Sequence, residues 1–61
     1  VRPAAKFARL QRVRVPDDGC GPLVGKVAEV RWARDHGFWE YRVRLGAELL
    51  WYEESELQAE L

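Results

Sequence analysis

The stretch FWEYRVRLGAELLWY, Phe38–Tyr52, decides the fold. Its first eight residues alternate strictly, with Trp39, Tyr41, Val43 and Leu45 on one side and Phe38, Glu40, Arg42 and Arg44 on the other. A period of two is the signature of a strand with one face in a core and one in water. Gly46, Ala47 and Glu48 make a short hairpin connection, and LLWY follows as a second, more apolar strand. Continuing the alternation sends Leu50 and Tyr52 inward and leaves Trp51 outside. The acidic run EESEL holds a single apolar residue, Leu57. It predicts one 3-10 turn that pins that leucine into the core, with QAEL as a short closing strand. A helix over Glu48–Leu61 is the competing reading, because Leu50, Glu54, Leu57 and Leu61 fall near one helical face.

Working back toward the N-terminus, LVGKVAEVRW is again strand-like. Val27 and Val30 lie three apart, so burying both requires a bulge or a sharp bend. Gly25 marks either that bulge or a close approach of two backbones. From Val30 onward, alternation turns Trp32 inward and Arg31 outward. ARDHG is the turn that joins this strand to the next. QRVRV alternates too, with Val13 and Val15 inward and Arg12 and Arg14 outward. Between these strands, PDDGCGP is dense in turn-forming residues and reads as a loop. VRPAAKFARL has no alternation and reads as a basic N-terminal tail, with Phe7 and Leu10 folded back onto the body.

A chain of 61 residues forms one domain. A core of this size supplies only ~3–5 kcal/mol net, so each staple matters. One cysteine, Cys20, cannot form an internal disulfide, and one histidine, His36, provides no zinc-binding set. No metal or cofactor is expected. Three tryptophans, two tyrosines and two phenylalanines instead offer large areas for packing or association.

Ten basic and ten acidic residues cancel. Residues 1–31 carry seven of the bases and three of the acids, 7 − 3 = +4, and residues 32–61 the reverse, 3 − 7 = −4. No apolar run reaches the ~18–20 residues needed to cross a membrane, and there is no secretory signal pattern, so no membrane partner is expected. The lone thiol favours a reducing compartment, and the expected localisation is cytoplasmic.

No catalytic set emerges. Asp17 and Asp18 beside Cys20 oppose the electropositive setting that an activated thiol needs. His36 lies in a different turn, and the paired acids, Asp17–Asp18 and Glu53–Glu54, fall on surface turns. A monomer of this chain is therefore expected not to be an enzyme, and only a pore built by symmetry would assemble a site.

The order of elements resembles the SH3-like small barrels, the broad group that includes KOW, Tudor and photosystem-accessory modules. The resemblance rests on the Val13–Val15 strand, the glycine- and proline-rich loop, Gly25–Val30, the tyrosine-bearing strand Tyr41–Leu45 and the closing Glu54–Leu57. It implies an all-β, five-stranded SH3-like barrel over residues 11–61, with residues 1–10 as its tail and a short 3-10 turn before the last strand. Some bacterial immunity proteins of polymorphic toxin systems look similar, which implies a protein partner. KOW and Tudor modules imply nucleic acid as the alternative. The type II plasmid dihydrofolate reductases share the strand layout more weakly and imply a homotetrameric pore. Their pore strand corresponds to Leu49-Leu50-Trp51-Tyr52, where Leu50 replaces a glutamine.

These readings together predict a non-catalytic small binding module that engages a protein through outward aromatic and arginine residues. Association with further copies of itself is the remaining option. The candidate binding residues are Phe38, Trp51, Trp32, Arg42, Arg44 and Arg31. Two explanations stay open for the outward rings: an interface, or simple covering by the N-terminal tail. The arginines likewise divide between nucleic-acid contact and cross-strand pairing with Glu29 and Glu40.

Overall fold

The computed structural model describes residues 2–16 and 23–60. The chain is all-β, with strands β1 (Arg12–Val15), β2 (Leu23–Ala33), β3 (Phe38–Leu45), β4 (Glu48–Glu53) and β5 (Gln58–Ala59). A single 3-10 turn, Glu54–Glu56, precedes the last strand, as the acidic run predicts, and the helical reading of residues 48–61 is not realised. All pairings are antiparallel and follow the order β4-β3-β2-β1-β5. The ladder is open between β4 and β5, so the five strands form one continuous sheet and not a closed ring of hydrogen bonds. The predicted loop with Asp17, Asp18 and Cys20, and the terminal Leu61, lie outside the described residues.

The predicted irregularity in β2 is present. Val27 pairs with Val43 and Glu29 with Arg42, so Ala28 is the extra residue at a register shift. This bulge lets Val27 and Val30 share a face despite their odd spacing, and it bends the long strand so that it serves both halves of the sheet. The β3–β4 hairpin turns through Gly46 and Ala47, with Leu45 facing Glu48 and Gly46 at a φ of 62°. A positive φ at the first loop position suits the twist of a two-residue hairpin and costs glycine nothing.

The core consists of Phe7, Val13, Val15, Val27, Tyr41, Val43 and Leu57, with Val30, Trp39, Leu45 and Tyr52 packed against it. Leu57 arrives as expected. Its N–H donates to the Glu54 carbonyl at 3.2 Å, and the Glu53 N–H donates to Glu56 Oε1 at 2.9 Å, which closes the turn and drops the leucine inward.

The N-terminal segment is more firmly attached than a tail reading suggests. Phe7 is buried and meets the Tyr41 ring edge-on, with centroids 5.3 Å apart. Trp39 Nε1 donates to the Pro3 carbonyl at 2.8 Å. Two expectations need correction. Leu10 is 71% exposed, so its side chain adds nothing to the core, although its N–H donates to the Val27 carbonyl at 2.7 Å. Leu50 faces Val43 across the ladder, on the core side, yet is 40% exposed. Alternation gave its direction correctly, but β4 is an edge strand, and among the described residues no strand pairs with its outer side.

Candidate functional site

The register sorts the outward side chains into two zones of one sheet face. In the first zone, Glu29 faces Arg42, Arg31 faces Glu40, and Arg42 in turn faces Trp51 on β4. Directly opposed residues share a face, so these side chains form one surface. Arg42 Nη1 donates to Glu29 Oε1 at 2.8 Å, and Arg31 Nη2 to Glu40 Oε1 at 2.7 Å. The guanidinium carbon of Arg31 also sits 4.2 Å from the centroid of the Trp51 ring. Cross-strand pairing thus answers the charge of Arg31 and Arg42 and holds both in place. Trp51 remains 39% exposed above them. The Arg42 Nε is buried without a hydrogen-bond partner, so that guanidinium is anchored at one end only.

The candidate residues divide unequally. Trp51, Arg31 and Arg42 come together on β4, β2 and β3. Phe38 shares their face but lies at the start of β3, half-buried, with the His36 ring stacked on it at a centroid distance of 5.3 Å. A polar recess of about 280 Å³ opens beside it, lined by Arg31, Ala33, Arg34, Asp35, His36 and Glu40. Trp32 is on the opposite, inner face. It meets Trp39 edge-on at 5.3 Å and is half-buried. Arg44 lies at the far end of β3, next to the β3–β4 turn, in the second zone.

The second zone escapes a reading by alternation alone. Arg12 faces Lys26, and Lys26 faces Arg44, placing three cations side by side across β1, β2 and β3. Of these three only Arg44 is among the candidate residues; Arg12 and Lys26 are not, and Lys26 is the one whose outward face the alternation of β2 leaves least marked. Its outward position could be inferred from the Val27 alternation, but its alignment with Arg12 and Arg44 depends on strand register.

Leu50 lies on the other face of β4, behind the first zone. With Trp51 it places two large apolar side chains next to each other in sequence and on opposite faces of one edge strand. Among the described residues, no strand pairs with β4 on the side away from β3. An edge of this kind offers main-chain hydrogen bonding as well as side-chain contact. Among the described residues, no group of three or more His, Cys, Asp or Glu is arranged to hold a metal, and no helix is long and apolar enough to cross a membrane.

Comparison with protein-family models, with curated proteins and with solved structures gives no match for this chain.

Proposed function

We propose that this chain is a non-catalytic binding module of the small SH3-like barrel type, and that it takes up an extended segment of a protein partner along β4. The observation that carries this reading is the exposure of Leu50 and Trp51, 40% and 39%, on a strand that ends the sheet. An incoming strand would hydrogen-bond to the β4 backbone, and its alternate side chains would meet Leu50 on one face and Trp51 on the other. Trp51 suits a central contact because tryptophan and arginine dominate interface energetics, and Arg31 already braces its ring. Glu48 and Glu53 bracket the strand, so the matching segment would carry basic residues at its ends.

Selection of extended peptides from a random display library against the immobilised protein tests this proposal. Recovered peptides are expected to be apolar at their centre and basic at their flanks. Trp51→Ala is expected to weaken their binding at least ~10-fold, about 1.4 kcal/mol. The same variant should cost only about 1 kcal/mol of stability, mainly the lost Arg31 contact. Selection of no peptide family, or collapse of the fold in Trp51→Ala, would contradict the reading.

A further inference from the structure

Arg14, Arg31 and Arg42 each meet a carboxylate, Glu60, Glu40 and Glu29 respectively. The other seven cations, Arg2, Lys6, Arg9, Arg12, Lys26, Arg34 and Arg44, form no ion pair among the described residues. What sets one group apart is its alignment: Arg12, Lys26 and Arg44 stand directly opposite one another. Like charges at directly opposed positions repel, and a sheet normally avoids them or places an acid between them. A few residues away on this face, Glu29 faces Arg42 and Glu40 faces Arg31, and the one acid opposed to an acid there, Glu53 to Glu40, has Arg31 on the other side of Glu40.

A recess of about 280 Å³ lies against this row, lined by Arg9, Leu10, Lys26, Val27, Ala28 and Arg44, with no acid among them. The β2 bulge supplies its floor, at Val27 and Ala28. Leu10 forms its rim in an unusual conformation, with a φ of 72°, and its N–H donates to the Val27 carbonyl at 2.7 Å. A left-handed leucine is costly and persists only where its surroundings enforce it. Here the enforcing bond ties the turn carrying Arg9 to the same bulge that follows Lys26.

We propose that this recess and cation row form a second binding site, which takes the phosphate backbone of a single-stranded nucleic acid. Neighbouring strands lie about 4.8 Å apart, so the row extends over roughly 10 Å and offers a short track of positive charge. A regularly charged flexible strand can follow such a track and place one phosphate or base in the recess. A bilayer surface is too flat to enter the recess, which argues against an anionic membrane. The site shares no residue with the β4 edge and does not depend on the reading of that edge.

The test is fluorescence anisotropy with a labelled 12-nucleotide oligothymidylate, titrated at several salt concentrations. Four phosphate contacts on a single strand give a slope of log K against log salt of about −2.8, or about fiftyfold weaker binding on going from 50 to 200 mM. Lys26→Gln/Arg44→Gln removes two contacts and should reduce the slope to about −1.4. Because that change relieves repulsion, its melting temperature should not fall. Arg9→Gln, outside the strands, should reduce the slope by about 0.7 and gives an independent reading if the double variant folds poorly. Arg14→Gln, whose guanidinium already answers Glu60, should leave the slope unchanged. The proposal is overturned by the absence of binding at low salt, by equal losses in Arg14→Gln and the double variant, or by unchanged slopes in both the double variant and Arg9→Gln. Tighter capture by phosphatidylserine vesicles or by poly-glutamate would also overturn it, in favour of a membrane or an acidic protein.

Discussion

Gly25→Ala is expected to destabilise the protein by about 1–3 kcal/mol, the range for forcing extra volume into a packed interior. A Cβ built at Gly25 would lie 2.5 Å from Val43 Cγ1, 2.7 Å from the Arg44 carbonyl oxygen and 2.8 Å from Leu45 Cδ2. Two of these neighbours are side-chain methyl groups that can turn aside. The carbonyl oxygen belongs to β3 backbone, and moving it means moving the ladder. Gly25 faces Val13 on β1, while Lys26 beside it faces Arg44 on β3, so the clash falls where β2 passes from one pairing to the other. A chain of this length has only ~3–5 kcal/mol in hand, so one methyl group would remove a large share of it. Urea denaturation should show the midpoint falling with little change in slope. An alanine variant as stable as the parent would mean that the two strands separate more easily than this geometry allows.

That close approach was half legible beforehand. Glycine near the start of an apolar strand signals either a bulge or crowding, and the structure assigns the bulge to Ala28 and the crowding to Gly25. Strand positions and faces were readable wherever alternation was strict, as in β1 and β3, because a period of two fixes the side on which each residue stands. What alternation cannot give is the distance of a strand from the sheet's edge. Leu50 therefore pointed as expected and still remained exposed. The sequence also could not show which arginines would find acids, since pairing depends on register across strands. Glu29 and Glu40 answer Arg42 and Arg31, whereas Arg44 on the same strand faces Lys26. The N-terminal segment was the least legible part, because one ring, Phe7, and a few hydrogen bonds to the Tyr41 hydroxyl and Trp39 Nε1 attach it, and these leave no periodic trace.

The two charge zones follow from the same register and divide the outer face by chemistry. Where acids alternate with arginines, two ion pairs hold Arg31 and Arg42, and the Trp51 ring lies against Arg31. Where register aligns Arg12, Lys26 and Arg44, no acid among the described residues pairs with them. The sequence's bias toward bases in its first half therefore survives folding in part, in the row shared by β1, β2 and the end of β3.

Tyr41→Phe is the second large effect expected, because one hydroxyl joins three parts of the chain. The Tyr41 hydroxyl donates to Glu54 Oε2 at 2.5 Å and accepts the N–H groups of Lys6 at 2.9 Å and Phe7 at 3.2 Å. It thereby holds β3, the 3-10 turn and the N-terminal segment at one point. Phenylalanine keeps the ring and its edge-on contact with Phe7 but leaves the buried Phe7 N–H without its acceptor. Glu54 loses one donor and keeps the Lys6 N–H at 2.9 Å. An unsatisfied buried donor costs ~1–3 kcal/mol, so a loss of about 2 kcal/mol is expected. For a domain of this size that corresponds to a drop of roughly 8–16 °C in melting temperature. The pH dependence separates this explanation from simple loss of packing. Burial, and then the hydrogen bond to Glu54, push the Tyr41 pKa above that of an ordinary tyrosine. The folded chain thus holds this proton more tightly than the unfolded one, whose tyrosine titrates near ~10. Its contribution is complete below about pH 10 and is lost as pH rises through the folded value. Denaturation curves at pH 8, 10 and 11 should therefore show the parent losing its advantage over Tyr41→Phe as the solution becomes more alkaline. A stability difference that stays constant across that range would mean that the hydroxyl's proton is not what joins the three segments.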